Sequence, residues 1–330
     1  MYVLVSPFSK TFDDIGLTYI VPDFLVADIK VGQIIEIPIR EFIEIGVVID
    51  ISDSPRGEYD ESKIKSIVSI KNPNIFLSGY RIDLARWIAS YYFTAIHNSI
   101  NLFFPKNLRD RILKDKISLI PPSVGIPFGK GKNLIGIKME YTFNHKITLS
   151  SEQNEVLNNI LTTENKKILL YGLTGSGKTE IYIKLIKETL DKGKQTLFLI
   201  PEIILTNQLA AKIKDVFGNN VYILNSTITD ATKTKYWLEI NSSNAKIVVG
   251  TRSAIFYPYN DLGLIIIDEE HDNSYISDSA PRYNTIEVAE KITELHGNKL
   301  ILASGTPSIK SMYKGVKKEY EIVNLLKKYN

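Results

Sequence analysis

Residues 166–180 read KKILLYGLTGSGKTE, and this stretch decides the fold of the second half of the chain. Gly172 is followed after four residues by Gly177-Lys178-Thr179, which is the G-x-x-x-x-G-K-[ST] pattern of a phosphate-binding loop. Such a loop needs glycines because its backbone N–H groups must turn inward and approach phosphate oxygens closely. An apolar run lies directly before the loop, and apolar residues at helical spacing follow it, so the pattern predicts a strand, a loop and a helix in succession.

The loop predicts a binding site for a nucleoside triphosphate. Lys178 is expected to reach the β- and γ-phosphates, and the Thr179 hydroxyl is expected to ligate Mg²⁺. The alternative is a glycine-rich turn without a ligand, which the strand and helix on either side disfavour. The predicted ATP-binding residues of the loop are Gly172, Leu173, Thr174, Gly175, Ser176, Gly177, Lys178 and Thr179.

A second anchor is the sequence D-E-E-H at residues 268–271, which directly follows an apolar strand pattern. In open parallel sheets, ligands bind at the carboxyl ends of strands, where this pattern delivers Asp268. We predict that Asp268 holds Mg²⁺, through water, and that Glu269 orients or deprotonates the attacking water. The predicted catalytic residues are therefore Glu269, Asp268 and Lys178, and the predicted metal ligands are Thr179 and Asp268. The alternative is an ordinary acidic strand end.

Composition sets bounds on the class of protein. The chain has 330 residues, 44% of them hydrophobic, which suffices for about two globular domains. A net charge of +3 permits a nucleic-acid partner without arguing for one. The absence of cysteine excludes disulfides and thiolate metal sites within this chain. No apolar run has membrane-spanning length and no signal-peptide pattern begins the chain, so we expect a cytoplasmic protein with no membrane partner.

The two halves of the chain have different patterns. The first half shows short β-branched runs at residues 2–5, 33–37, 45–51 and 63–70, and then helical spacing over 78–92 with an aromatic face that we expect to be core. Prolines interrupt residues 105–148, where a connector with a short helix near 110–116 and strands near 134–143 is expected. The second half alternates apolar strands with helices, which predicts a parallel sheet covered on both faces. Its strands are expected at 195–200, 221–224, 246–249, 262–268, 299–304 and 320–325, and its helices at 151–161, 204–217, 229–240 and 285–295.

Five segments of the second half carry a family resemblance. They are GLTGSGKTE at 172–180, LIPEIILTNQ at 199–208, VGTRSAIF at 249–256, DEEHDNSY with PRY at 268–275 and 281–283, and SGTPS at 304–308. Together they resemble the superfamily-2 replication restart helicases of the PriA family, also called primosomal protein N′. The resemblance spans about residues 150–325. It implies an α/β fold with a RecA-like P-loop motor lobe and a central parallel sheet, preceded by a small, mostly β N-terminal DNA-binding domain.

The resemblance extends to the N-terminal half. Thr11-Phe12-Asp13 is similar to the T-F-D-Y of the family, in a domain that captures the 3′ end of a nucleic acid. It implies that Phe12 stacks on the terminal base and that Asp13 accepts a hydrogen bond from the 3′-hydroxyl, with Lys65 in the same pocket. The alternative is that Phe12 is core and Asp13 caps a turn. Where the family has P-F-G, this chain has Pro38-Ile39-Arg40, and an arginine there can fill the pocket or change its charge.

The resemblance also implies roles for residues around the motor site. Gln153 resembles the residue that reads adenine, and Ser304 and Thr306 resemble the motif that couples hydrolysis to lobe movement. Tyr275, Arg282 and Tyr283 lie in a segment that resembles an aromatic-rich loop that senses DNA, for which packing within the loop is the alternative. The remaining implied DNA contacts line a single-strand track and are Pro201, Glu202, Thr206, Thr251, Arg252 and Ser253.

The implied domain organisation is a 3′-end DNA-binding domain with a helix at 1–104, a connector at 105–148 and the ATP-binding lobe at 149–330. The connector is short for the winged-helix domain of the family, which is expected to be reduced or absent. Zinc is expected only in a C-terminal part of the family that this chain does not contain. The second lobe, which supplies an arginine finger worth about 10³ to 10⁵ in turnover, is also outside it. We therefore expect weak ATP binding, little hydrolysis and no unwinding by this chain alone.

The function implied is that of an ATP-dependent 3′-5′ DNA helicase of the replication-restart primosome, with ATP and Mg²⁺ as cofactors. Its implied partners are forked and single-stranded DNA, single-strand-binding protein and other primosome proteins. A second interpretation is a DNA-fork-binding module that retains the nucleotide lobe as a scaffold, and its DNA binding would be indifferent to Lys178→Ala. An unrelated P-loop kinase or transport ATPase is disfavoured by the T-R-S-A and S-G-T-P-S segments.

Overall fold

The computed structural model describes residues 1–9, 14–56, 61–77, 79–114, 148–202, 208–244 and 246–328. These residues form two compact units, one made of residues 1–114 together with 279–281 and the other made of residues 148–278 and 282–328. None of the helices in these ranges combines the length and the apolar character that a membrane crossing requires.

The first unit is built on a five-stranded antiparallel sheet. Its strands are β1 (Tyr2–Pro7), β2 (Leu17–Ile20), β3 (Gln33–Ile39), β4 (Phe42–Ser52) and β5 (Ser69–Phe76), in the spatial order β2-β1-β4-β3-β5. Three helices follow: α1 (Gly79–Tyr91), α2 (Ile96–Asn101) and α3 (Lys106–Leu113). The core of the sheet consists of alternating β-branched side chains, such as Val3, Val5, Ile35 and Ile37, all of which are fully buried. This confirms a mostly β N-terminal domain.

The strand predicted at residues 63–70 is placed wrongly, because β5 begins at Ser69 and continues through Pro73. A proline has no N–H to donate, and it is tolerated where a strand lies at the edge of a sheet or in a bulge. Both conditions hold, since β5 pairs only with β3 in the sheet and the pairing register shifts at Gln33, Ile34 and Ile35. The short strand β2 and the short helix α2 were not predicted from the sequence.

The aromatic face of α1 is only partly core. Leu84 and Ile88 are buried as expected, whereas Trp87 is half-buried and Tyr91 is half-exposed. The ring of Tyr91 stacks on that of Trp87, with centroids 4.8 Å apart, so the two rings cover each other at the surface. The helix expected near residues 110–116 is α3, which begins earlier, at Lys106. The strands predicted at 134–143 and most of the predicted connector lie outside the described residues, as does residue 78, the first of the predicted helix.

The second unit is a seven-stranded parallel sheet. Its strands are β6 (Lys167–Gly172), β7 (Gln195–Leu199), β8 (Val221–Leu224), β9 (Ile247–Gly250), β10 (Leu262–Ile267), β11 (Lys299–Ser304) and β12 (Glu321–Leu325). The order is β12-β6-β11-β10-β7-β9-β8, and every pairing is parallel. The helices are α4 (Ser151–Thr162), α5 (Lys178–Asp191), α6 (Gln208–Phe217), α7 (Asp230–Asn241), α8 (Thr285–His296) and α9 (Ile309–Val316). This confirms the α/β class and the motor-lobe fold.

The central strands are buried on both faces, which explains their continuous apolar sequences. On one face, alternate residues such as Leu170 and Ile266 join a core with Ile160 of α4, Ile186 of α5 and Ile213 of α6. The intervening residues of the strands are equally buried, and on that other side α8 contacts β10 and β11 while α9 contacts β6. Because β6, β11 and β10 are neighbours, the segments that follow their carboxyl ends meet at one edge of the sheet.

Candidate ATP and DNA site

The phosphate loop links β6 to α5 as the sequence predicts. Gly175 and Gly177 have φ angles of +80° and +82°, a region that side chains other than glycine rarely occupy. A Cβ atom at Gly177 would lie 2.1 Å from Nε2 of Gln153, so this position also needs glycine for space. Lys178 is the first residue of α5, which places the N-terminal N–H groups of the helix directly after the loop.

The side chain of Lys178 points back across the loop. Its Nζ donates a hydrogen bond of 2.8 Å to the Gly172 carbonyl oxygen and lies 3.9 Å from Oε1 of Glu269. The lysine thus approaches the acidic box, which is the D-E-E-H sequence at residues 268–271. A cation in this position can exchange the carbonyl for the oxygens of a bound triphosphate.

Asp268 follows the last residue of β10 and is 7% exposed. Its Oδ1 accepts a hydrogen bond of 2.7 Å from the hydroxyl of Tyr182, a fully buried residue of α5. Burial raises the pKa of Asp268 above its ordinary value, against the Tyr182 hydrogen bond and the charge of Lys178, which both lower it. Burial, followed by the charge of Asp268, also raises the pKa of Tyr182. Tyr182 therefore holds the carboxylate in one orientation, a role that its sequence position did not reveal.

Glu269 occupies a strained backbone conformation, with a φ of +46°. A non-glycine residue in this region costs roughly 1–3 kcal/mol, and such strain is concentrated at functional sites. The conformation turns the carboxylate toward Lys178 on one side and toward His271, whose Nδ1 lies 3.7 Å from Oε2, on the other. The predicted water-activating residue thus lies between two basic side chains.

The two residues predicted to couple hydrolysis to lobe movement, Ser304 and Thr306, both contact His271 of the acidic box. Nδ1 of His271 lies 2.8 Å from Oγ of Ser304, and Oγ1 of Thr306 lies 3.5 Å from Nε2 of the same ring. The Thr306 N–H also donates to Oγ of Ser304, at 2.9 Å. Movement of either segment therefore changes the hydrogen bonds of the other.

Glu270 is a residue that the sequence pattern contained but did not single out. It is 2% exposed and accepts three hydrogen bonds, from the Ser308 N–H at 2.6 Å, the Ser308 hydroxyl at 3.0 Å and the Ser311 hydroxyl at 2.9 Å. Its own N–H donates to the Ala303 carbonyl oxygen, at 3.0 Å. Glu270 therefore binds the acidic box to the start of α9.

The residues of the site fit a nucleoside triphosphate with Mg²⁺. A cleft of about 600 Å³ is lined by Leu173, Thr174, Glu269, His271, Gly305, Thr306 and Lys328. The Ser176 hydroxyl is buried and has no hydrogen-bond partner among the described residues, as expected of a loop shaped for a ligand. In the described part of the chain no group of three His, Asp or Glu side chains holds a metal by itself. Mg²⁺ in such sites takes one or two protein ligands together with phosphates and water, which suits Thr179 and Asp268.

Gln153 has a different environment from the one expected. It is buried within a capping box, in which its Oε1 accepts from the Ser150 N–H at 2.9 Å. Its Nε2 donates to the carbonyl oxygens of Ser176 and Gly177, at 3.2 and 3.3 Å. Both ends of the side-chain amide thus bind the protein itself, so Gln153 braces the phosphate loop here. The predicted adenine contact would require one of these bonds to be exchanged.

The predicted single-strand track follows the ends of the neighbouring strands β7 and β9. Pro201 is buried, Glu202 and Ser253 are exposed, and Thr251 is half-buried, while Thr206 lies outside the described residues. Arg252 is already engaged: its guanidinium donates to the carbonyl oxygens of Ser274 and Ile276, at 3.2 and 2.7 Å, and pairs with Asp278 at 3.2 Å. A DNA phosphate would have to compete with these partners.

The two tyrosines of the predicted DNA-sensing loop are in the core, at 1% exposed for Tyr275 and 4% for Tyr283. The Tyr275 hydroxyl donates to the Asp268 carbonyl oxygen at 2.7 Å, and the Tyr283 ring packs edge-on against Phe256, with centroids 4.8 Å apart. Neither ring offers a face on which a base could stack here, so the predicted DNA contact would require these residues to rearrange, and the alternative of packing within the loop describes this structure. Arg282 is the exposed member of the group.

In the first unit, Phe12 and Asp13 lie outside the described residues. Lys65 is exposed, and its Nζ donates to the Arg40 carbonyl oxygen at 3.2 Å. Arg40 is exposed as well and has a φ of +54°, which turns the chain sharply between β3 and β4. Lys65 and the backbone of Arg40 are therefore in contact, and both residues carry a positive charge of the kind that phosphate oxygens attract.

Substitution of Asp268 by asparagine is expected to raise the stability of the nucleotide-free protein at neutral pH. The pKa of Asp268 in the folded protein lies above its ordinary value of 3.8. Protonation of Asp268 therefore stabilises the fold fully below its ordinary pKa, and this contribution is lost as the pH rises through the raised pKa. Asparagine imitates the neutral form and can still accept from Tyr182. Thermal unfolding between pH 4 and pH 8 should show a higher Tm for Asp268→Asn at pH 7.5 and a shrinking difference toward pH 4.

The control is Asp215→Asn, on an exposed position of α6, for which we expect an unchanged Tm across the range. A wild-type protein that is more stable than Asp268→Asn at pH 7.5 would contradict the prediction, since the buried carboxylate would then be compensated.

Comparisons with known proteins agree with this geometry. Residues 150–314 match the DEAD/DEAH box helicase family, and residues 4–105 match a 3′ DNA-binding domain. The chain is similar to the replication restart protein PriA of Rickettsia felis, at 32% identity over 327 residues, which are 99% of this chain and 46% of the relative. The PriA protein of Bacillus subtilis is 42% identical over 188 residues, covering 56% of this chain and 23% of the relative. The PriA protein of Helicobacter pylori J99 is 34% identical over 281 residues, which are 85% of this chain and 40% of the relative. The chain thus spans about half the length, or less, of the relatives it matches.

Proposed function

Because the chain belongs to the DEAD/DEAH box helicase family and matches the N-terminal region of PriA replication restart proteins, we propose that it supplies the ATP-binding lobe and the 3′-end-binding domain of a DNA helicase that acts in replication restart. The substrate proposed is ATP, the track is single-stranded DNA at a fork, and the direction of movement is 3′ to 5′. Single-strand-binding protein and other primosome proteins are the proposed partners, in the cytoplasm.

The observation that carries this proposal is the convergence of Lys178, Asp268 and Glu269 at one edge of the sheet. Lys178 and the N–H groups at the start of α5 are suited to neutralise and orient the phosphates. Glu269 is suited to orient the attacking water and to take its proton at a carboxylate oxygen. Bound Mg²⁺ would offset the negative charge on the β- and γ-phosphates. Thr179 and Asp268 are the residues that would hold it.

Hydrolysis by residues 1–330 alone is proposed to be slow. An arginine finger contributes about 10³ to 10⁵ in turnover in enzymes that use one, and in the PriA family it comes from a second lobe. The contacts from His271 to Ser304 and Thr306 would then transmit nucleotide state to the rest of a motor rather than drive movement within this lobe. Nucleotide binding, not turnover, is therefore the measurement that tests this site.

The DNA-binding proposal is tested with oligonucleotide ends. We expect the protein to bind a single-stranded oligonucleotide with a 3′-hydroxyl about tenfold more tightly than the same oligonucleotide with a 3′-phosphate. Asp13 would accept from the hydroxyl, whereas a phosphate would repel it, and a hydrogen bond to a charged group is worth about 1.5–3 kcal/mol. Fluorescence anisotropy with end-labelled oligonucleotides measures the two dissociation constants.

Changing the 5′ end from hydroxyl to phosphate serves as the matched control and should leave affinity unchanged. Asp13→Ala should remove the preference for the 3′-hydroxyl. Equal affinity of the wild-type protein for both 3′ ends would show that the domain does not capture a 3′-hydroxyl.

A further inference from the structure

The segment after β12 runs beside the nucleotide site. Lys328 lines the cleft of about 600 Å³ together with Thr174, Glu269 and Thr306. It also lines a second cleft of about 400 Å³, bounded by residues 148–152, Ser176 and Lys327. Lys328 is thus common to the linings of both clefts, each of which also includes residues of the phosphate loop. Nothing in its local sequence, KKYN at the end of the chain, indicates such a position.

Two sets of hydrogen bonds hold this segment in place. The Leu173 N–H donates to the Leu325 carbonyl oxygen at 3.2 Å, which joins the end of β12 to the phosphate loop. The Glu152 carboxylate accepts from the Leu326 N–H at 3.0 Å and from the Lys327 N–H at 3.2 Å. Glu152 lies in the first turn of α4, one residue before Gln153. The backbone that carries Lys328 is therefore fixed from two directions.

The second cleft has a further sign of a ligand. Ser176 is part of its lining; this residue is 2% exposed, and its buried hydroxyl lacks a hydrogen-bond partner among the described residues. A buried hydroxyl without a partner is costly, so it is expected to meet one when the site is filled. Ser176 and Lys328 thus line the same cleft beside the phosphate loop.

We propose that Lys328 is a nucleotide-binding residue whose ammonium group contacts the phosphate oxygens of ATP, and that Glu152 is the residue that positions it. The inference rests on the proposed function and adds to it a cation from outside the phosphate loop. A lysine is a point charge with three donors, and phosphate oxygens are the groups of a nucleotide that such a charge binds most strongly. Glu269, whose Oε1 lies 3.9 Å from Nζ of Lys178, lines the same cleft as Lys328.

The test measures binding of a fluorescent ATP analogue with Mg²⁺, with unlabelled ATP as competitor, to the 330-residue protein. Lys328→Ala is expected to weaken ATP binding about three- to tenfold, less than the loss of a buried charged hydrogen bond, because Lys328 is exposed to solvent. Lys328→Arg keeps the charge and is expected to retain most of the affinity. Lys192→Ala, at the opposite end of α5 from the phosphate loop, is the matched charge control and should bind like the wild type.

Glu152→Ala should weaken binding to the same extent as Lys328→Ala, and the double variant should be no weaker than either single one. Glu152→Gln, which keeps an accepting oxygen, should bind nearly normally. If Glu152 only stabilised α4, its substitution would lower the Tm and its effect on affinity would add to that of Lys328→Ala, which would overturn the positioning role.

Different results would contradict the proposed ATP site and the inference about Lys328. Loss of binding in Lys178→Ala together with wild-type affinity in Lys328→Ala would overturn the inference and leave the ATP site in place. Wild-type affinity in both variants, or no ATP binding by the wild-type protein, would overturn the proposed function and the inference with it. A charge-dependent loss in Lys328→Ala that Lys328→Arg restores supports the assignment.

Discussion

Lys178→Ala is expected to weaken ATP binding by about ten- to a hundredfold. The lysine is the cation of the phosphate loop, and a hydrogen bond to a charged group contributes about 1.5–3 kcal/mol. In the structure its Nζ is held within the site by the Gly172 carbonyl oxygen and lies near Glu269, so it needs only a small movement to meet a triphosphate. Alanine removes the cation and leaves the glycine-rich backbone unchanged. Titration with a fluorescent ATP analogue in the presence of Mg²⁺ measures the effect.

Lys187→Ala is the matched control for this change. Lys187 lies on the same helix, α5, and pairs with Asp191 at 2.6 Å on the surface, so its loss should change ATP affinity by less than twofold. An affinity of Lys178→Ala within twofold of the wild type would mean that the loop does not bind nucleotide as proposed.

The same variant separates the two interpretations of the chain. A DNA-fork-binding module that retains the nucleotide lobe as a scaffold would bind forked DNA equally well with Lys178→Ala and would be insensitive to ATP. An ATP-driven helicase should instead lose the ATP dependence of its DNA binding along with its nucleotide affinity. Anisotropy measurements on forked DNA, with and without ATP, distinguish the two.

Glu270→Ala is expected to be the most destabilising single substitution at the site, by about 3 kcal/mol. It leaves the Ser308 N–H and two serine hydroxyls without their acceptor in a buried place, and each unsatisfied group costs about 1–3 kcal/mol. The hydroxyls recover part of this because Oγ of Ser308 and Oγ of Ser311 are 3.0 Å apart and can bind each other. Urea unfolding followed by circular dichroism measures the loss.

Glu294→Ala is the control, since Glu294 is a half-exposed residue of α8 whose ion pairs with Lys167 and Lys291 lie at the surface. Surface pairs contribute about 0–1 kcal/mol, so this variant should unfold near the wild-type midpoint. Glu270→Gln should fall between the two, because its amide keeps an accepting oxygen and its NH₂ group can donate to a serine hydroxyl. Equal losses for Glu270→Ala and Glu294→Ala would show that Glu270 does not bind the acidic box to α9.

Local sequence patterns were enough to predict the elements whose structure depends on a single segment of the chain. β11 has the bounds that the sequence predicts, at Lys299–Ser304, because a central strand of a parallel sheet is buried on both faces and its apolar run marks it without information from its partners. β8, at Val221–Leu224, also has the predicted bounds, although it lies at the edge of the sheet and is only partly buried. The glycines of the loop, followed at once by a helix, likewise specify a phosphate site from one stretch. The strand predicted at 63–70 was wrong because edge position, which decides whether Pro73 is tolerated, depends on the order of the strands.

By itself, the sequence determined the class of the fold, the helicase family and the positions of the phosphate loop and the acidic box. Tertiary structure alone decided how those residues are supported. In the structure, Tyr182 donates a hydrogen bond to Asp268, Glu270 accepts from the start of α9, and Glu152 accepts from the segment that carries Lys328. Tyr275 and Tyr283 are buried in the core. The reason is physical, because the residues next to a polar or aromatic side chain in the sequence do not show whether that side chain faces solvent or another element. Its role is set by partners that are distant in the chain and meet it only when the sheet and helices are packed.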